Sequence, residues 1–100
     1  MKNGYRIEWT DNALSELKVT FDYIESNWTE KELIKLSNEI ERTVNLISNN
    51  PNLFPVTKSR NIRKAVINKL NTLYYREKRN KRIEILSFFS NRQSPDKIQI

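Results

Sequence analysis

The chemistry open to this 100-residue chain is set first by two side chains that it lacks, histidine and cysteine. Without His, the usual general base near neutral pH and the commonest metal ligand are missing. Without Cys there is no thiolate nucleophile, no zinc-thiolate site and no disulfide. Catalysis would have to run through Lys, Arg, Tyr, Ser, Thr or carboxylates, and neither a metal nor a cofactor is implied. The cations are the most concentrated of these. Ten of the eighteen Lys and Arg residues fall within 58–82, beside one acid, Glu77. Residues 1–57 hold six basic against nine acidic side chains, 58–82 ten against one, and 83–100 two against two, which gives the net charge of +6. A positive field confined to one segment draws phosphate backbones or acidic protein surfaces. A basic face that serves only solubility fits the same count.

The elements that position these cations follow from periodicity. Tyr5, Ile7 and Trp9 alternate with Arg6 and Glu8, the period of a half-buried strand. Thr10 can cap a helix, with Trp9 and Leu14 as a hydrophobic staple. Leu14, Leu17, Phe21, Ile24 and Trp28 then recur every three or four residues within an arc of roughly 80°, which predicts a helix over 11–27. Thr29 and Glu32 form a capping box, Trp28 and Leu33 its staple, and Leu33, Leu36, Ile40, Val44 and Ile47 a second apolar stripe. Trp28 thus joins both helices, and Trp28→Ala is expected to cost on the order of 3–5 kcal/mol. Ile34 and Leu46 fall off the stripe. Asn49-Asn50-Pro51 ends the second helix, with Asn in a left-handed cap and Pro barring continuation.

After a connector in which Phe54 is expected to be buried, the period changes to two. Strands are predicted over 62–68, 72–76 and 83–89, the last two joined by a polar turn at Lys78-Arg79-Asn80-Lys81. With one Gly in the chain, Asn must supply most unusual backbone angles. Tyr74 and Tyr75 point to opposite faces, so one belongs to the core and the other can pack at its rim or stack on a partner. The expectation is a single two-layer α+β domain over residues 1–100: an N-terminal strand, an antiparallel αα-hairpin, then a three-stranded antiparallel meander, βααβββ. No apolar run approaches the roughly 18 residues needed to cross a bilayer, and 1–20 has no signal-peptide core, so a cytoplasmic protein without a membrane partner is expected.

The chain resembles the RelE/ParE superfamily of bacterial toxins from type II toxin-antitoxin modules, and is more similar to the ParE-like branch. The resemblance rests on Tyr5-Arg6-Ile7-Glu8-Trp9-Thr10 with Ala13, Leu14 and Leu17, on Phe21-Asp22-Tyr23-Ile24, and on Asn50-Pro51. It continues through Ile62-Arg63-Lys64-Ala65-Val66, Leu73-Tyr74-Tyr75-Arg76, and Ile83-Glu84-Ile85-Leu86 followed by Asn91-Arg92-Gln93-Ser94-Pro95. It implies a growth inhibitor neutralised by a cognate antitoxin. RelE-like members cleave mRNA on the ribosome, whereas characterised ParE members poison DNA gyrase without being nucleases.

Cleavage by a 2′-hydroxyl needs a proton acceptor, a proton donor and cations for the transition-state charge. By the resemblance, Arg63 stands at the first basic strand position and Arg92 at the basic position after the last strand, the two catalytic candidates. The second strand position is Ala65, no Arg stands near Thr72, Arg76 is too far along, and no Tyr follows Arg92. Each candidate also has a plain role: Arg63 can solvate a sheet face, and Arg92 can meet strand-end carbonyls or pair with Glu84 or Asp96. The binding candidates, toward target or antitoxin, are Arg60, Arg63, Lys64, Arg76 and Arg92. Three functions stay open: a ParE-like toxin that binds DNA gyrase, a RelE-like mRNA endoribonuclease, and a small basic nucleic-acid-binding module. The last lacks a basic recognition helix. An antitoxin with an acidic, apolar-studded tail is expected to fold across the sheet or the helical hairpin, with Arg60 and Lys64 at the rim.

Overall fold

Two threonine caps start the helices where the sequence places them. Thr10 Oγ1 accepts from the amide of Ala13 at 3.1 Å, and Thr29 Oγ1 from that of Glu32 at 3.3 Å. The computed structural model describes residues 4–59 and 61–90, and runs β1 (Arg6–Trp9), α1 (Asp11–Asn27), α2 (Glu30–Asn49), β2 (Arg63–Val66), β3 (Asn71–Lys78), β4 (Arg82–Ser90). This is the βααβββ order of a two-layer α+β fold. The sheet order is β1-β4-β3-β2, with β1 parallel to β4 and the other pairs antiparallel. A parallel pair needs a long crossover, and the αα-hairpin is part of it. At its start the chain's one glycine, Gly4, passes α2 so closely that a Cβ would collide with Ser48 Oγ. Ser48 ties the contact from both sides, its carbonyl accepting from Tyr5 N at 2.8 Å and its hydroxyl donating to Tyr5 O at 2.7 Å.

One sheet face packs on the helices. Ala65, Leu73, Tyr75, Ile83 and Ile85 form a buried cluster with Ala13 and Ile47, and Phe88 a second one with Ile24, Leu36 and Ile40. Trp9, Val44 and Ile67 pack against both, so the two clusters make one continuous layer. The predicted stripe of α2 is inside as expected, while Ile34 and Leu46 are exposed. On α1 the buried arc is rotated from the prediction: it centres on Ala13, Thr20 and Ile24, and Leu14 is half exposed. Small residues mark where the helix comes closest to the sheet, and a count of large apolar side chains misses them.

Trp28 corrects the sequence reading. It is 49% exposed, and its backbone N–H caps α1 on Ile24 O at 2.7 Å, so its ring is not a buried pivot between the helices. Trp28→Ala is therefore expected to cost about 1–2 kcal/mol, half the value of a fully buried large side chain. Thermal melting checks this, and a loss as large as a core truncation would contradict it. The end of α2 differs too. Asn50 takes φ −152°, ψ 81° rather than left-handed angles, because Pro51 restricts the residue before it. Left-handed angles fall at Asn61, Asn80 and Lys81 (φ 70°, 62° and 54°), two of them Asn as expected.

β4 reads as a continuous apolar run because it changes face midway. Tyr74 pairs with Ser87 but Tyr75 with Ile85, leaving Leu86 as the extra residue of a bulge. Ile83 and Ile85 face the helices before the bulge and Phe88 after it, so Phe89 turns to the opposite face. The bulge lies just past the end of β1, where the edge of β4 loses its strand partner. Side chains from α1 replace it. Asn12 Nδ2 donates to Leu86 O at 3.1 Å, and Glu16 Oε1 accepts from Phe88 N at 3.0 Å and from Ser87 Oγ at 2.8 Å.

Candidate binding groove

The sheet face away from the helices is arranged in rows by cross-strand pairing. Arg6, Arg82 and Lys78 stand side by side, then Glu8, Glu84 and Arg76, then Ser87, Tyr74 and Lys64, then Phe89, Thr72 and Val66. Charge fills the first two rows, whereas the last two set Tyr74, Phe89 and Val66 beside Ser87, Thr72 and Lys64. The second half opens into a groove of about 770 Å³, lined by Tyr74, Leu86, Ser87 and Phe89 on the sheet, Ile62 and Lys64 on β2 and its approach, and Glu16 in the second turn of α1. Its far wall is the connector. There 55–57 runs antiparallel to 62–64, with Val56 bridging Arg63, Thr57 N donating to Ile62 O at 2.7 Å, and Lys64 N to Pro55 O at 3.0 Å. Val56, exposed by 51%, gives this wall an apolar lip, and Lys58 and Lys64 put cations on the rim.

Among the described residues Glu16 is the one carboxylate lining the groove, and its Oε1 carries the bulge bonds together with one from Asn12 Nδ2 at 3.3 Å. Glu16→Ala leaves the amide of Phe88 without an acceptor. It is expected to cost about 1–3 kcal/mol, with Glu16→Gln, which keeps a carbonyl oxygen, losing much less. Equal melting temperatures for Glu16→Ala and the parent chain would contradict the clamp.

The five binding candidates separate in space. Lys64 lines the groove. Arg76 lies toward the other end of the face, bound to Glu84 at 2.8 Å; that hydrogen bond, against some burial and with Lys78 assisting, holds the Glu84 carboxyl below its ordinary 4.5. Arg63 is on the helix side of β2, in step with buried Ala65, where Nη1 donates to Phe54 O at 2.6 Å and Nη2 to Asn52 Oδ1 at 3.2 Å. It pins the connector from behind and does not line the groove. The idea that it solvates an open sheet face is corrected accordingly. Arg60 and Arg92 lie outside the described residues. Of the tyrosines, Tyr75 is core and Tyr74 faces the groove. Burial raises the Tyr75 phenol above 10.0, with nearby Arg63 pulling the other way, so the group stays a donor, to Pro51 O at 2.7 Å.

Sequence reasoning missed Glu16, Val56, Leu86 and Phe89. Phe89 and Leu86 were hidden by the bulge, and Glu16 had the look of a solvated helix position. Among the described residues no group of three acidic, His or Cys side chains is placed to hold a metal, and no helix is long and apolar enough to cross a membrane.

Compared with known proteins, residues 7–95 match the family described as ParE toxin of type II toxin-antitoxin system, parDE. No curated protein sequence matches. Among solved structures the fold is similar to the chromosomal ParDE TA system from P. aeruginosa, with a TM-score of 0.71 and 17% identity over 89% of this chain and 98% of that one. It is also similar to the E. coli DinJ-YafQ complex (0.60, 15%, 87% and 93%) and to the YoeB dimer from Staphylococcus aureus (0.51, 21%, 85% and 94%). At such identities these structures speak to the fold. Because the family match runs through both helices and the whole sheet that carries the groove, the chain belongs to the ParE toxins of type II toxin-antitoxin systems.

Proposed function

We propose that this chain, as a single domain over residues 1–100 acting in the cytoplasm, inhibits growth by binding DNA gyrase rather than by cutting RNA, and that its antitoxin lays an acidic, apolar-studded tail in the groove. The observation that carries the reading is the position of Arg63. The catalytic candidate on the strands sits behind the sheet with its guanidinium on Phe54 O and Asn52, while the groove offers Tyr74, Phe89, Leu86 and Val56 as apolar anchors under a Lys58 and Lys64 rim. A row of anchors with cations at the edge suits a peptide that folds on contact. The gyrase target rests on membership of the ParE family.

Rim cations act on encounter more than on the settled complex. Lys58→Ala with Lys64→Ala is expected to slow association with the antitoxin about tenfold at low salt and to weaken its salt dependence. Stopped-flow mixing at several salt concentrations measures both. Salt-independent association of the unaltered pair would count against the groove as the antitoxin site.

A further inference from the structure

We propose that the sheet end beside the β3–β4 turn is a second docking surface, separate from the groove, that grips the phosphate backbone of a nucleic-acid duplex. Six cations gather there: Arg6 on β1, Arg76 and Lys78 on β3, Arg79 and Lys81 in the turn, and Arg82 on β4. None of them lines the groove. The nearby acids are Glu8, Glu77 and Glu84, so the cluster is net +3 by six against three.

The ion pairs are unevenly shared. Glu84 takes Arg76 at 2.8 Å and Lys78 at 3.7 Å, and Glu8 takes Arg82 at 3.5 Å. Glu77 instead faces Tyr5, whose phenol it pushes up. Among the described residues no carboxylate reaches Arg6, Arg79 or Lys81. These three stand exposed; Arg76 is exposed as well but tied to Glu84, and Lys78 and Arg82 are half-buried beside their acids.

Two features of this end work against the fold taken alone. Arg6, Arg82 and Lys78 are direct cross-strand neighbours, and like charges in that relation are destabilising. Lys81 holds a left-handed angle (φ 54°) that Gly or Asn would take with less strain. A polyanion laid across the row relieves the repulsion. The surroundings indicate which polyanion. Among the described residues none of the exposed large apolar side chains, Leu14, Val19, Trp28, Ile34, Leu46, Leu53, Val56 and Val66, belongs to the strands or the turn that carry the six cations, so the cluster has no apolar centre of its own for a protein interface. Tyr5 packs against the core, and Tyr74, one row beyond Arg76, lines the groove, so neither ring stands among the cations as a stacking platform for unpaired bases. Cations without anchors or rings suit a duplex backbone, read by charge and not by sequence.

The test uses the full-length chain and a short labelled DNA duplex of random sequence, with affinity followed by anisotropy as salt is raised. The three exposed cations that no carboxylate reaches among the described residues predict a slope of log affinity on log salt of about −2.7. Arg6→Gln, Arg79→Gln and Lys81→Gln together should weaken binding about tenfold or more at low salt and flatten the slope, with a melting temperature no lower than the parent's. Lys31→Gln, Lys35→Gln and Arg42→Gln on α2 remove the same charge and should leave the slope as it was. Equal weakening in both triple variants would overturn the site, since net charge alone would then account for binding. A poly-glutamate peptide or single strand held as tightly as the duplex, through Arg6, Arg79 and Lys81, would overturn the duplex as its occupant. None of these outcomes depends on the antitoxin groove.

Discussion

Tyr75→Ala is expected to lower stability by about 3–5 kcal/mol, enough to leave a small domain at the margin of folding. Tyr75 is fully buried, meets Phe54 edge to face with ring centroids 6.5 Å apart, and sits among Ala65, Leu73, Ile83 and Ile85. Its hydroxyl donates to Pro51 O at the exit of α2, so one side chain ties β3, the end of the second helix and the start of the connector. Truncation opens a cavity at that junction and strands a carbonyl. Tyr75→Phe separates the two effects: the ring stays and only the hydrogen bond is lost, for about 1–2 kcal/mol. Chemical denaturation of the three proteins measures the series. A Tyr75→Phe variant as damaged as Tyr75→Ala would mean that the hydroxyl, not the packing, dominates.

What could be read from the sequence was local. Thr10 and Thr29 cap their helices because an N-cap is decided within four residues, and the stripe of α2 packs as its spacing predicts. The opposite facing of Tyr74 and Tyr75 follows from strand geometry alone. The groove was less legible, because what shapes it spans the chain. Glu16 and Phe88 are brought together across 72 residues, and the Leu86 bulge that turns Phe89 outward leaves no local signal. Trp28 was overestimated for a related reason: its place on the stripe says that the helix face is apolar, not that a neighbour reaches far enough to cover the last turn. Arg63 fits the nuclease position by order along the chain, yet the connector folds back behind β2 and takes its guanidinium. Only the path of the connector could reveal that.

The second large effect lies in the cell. Expression without the antitoxin is expected to stop growth, with filamentation and a DNA damage response, the outcome of a blocked topoisomerase. Variants that remove groove anchors without touching the core, such as Tyr74→Ala, should keep their melting temperature and lose antitoxin affinity by about 2 kcal/mol, roughly thirtyfold. Toxicity that persists in such a variant but resists rescue by the antitoxin would place neutralisation in the groove.

The central claim, inhibition by binding and not by RNA cleavage, is tested most directly by presenting the purified chain to DNA gyrase with plasmid and, in parallel, to translating ribosomes with mRNA. The account predicts that supercoiling fails, leaving relaxed or cleaved plasmid, while the mRNA stays intact and Arg63→Ala changes binding or stability rather than any chemical step. Codon-specific cuts in the mRNA, abolished by Arg63→Ala or Arg92→Ala with supercoiling untouched, would contradict it.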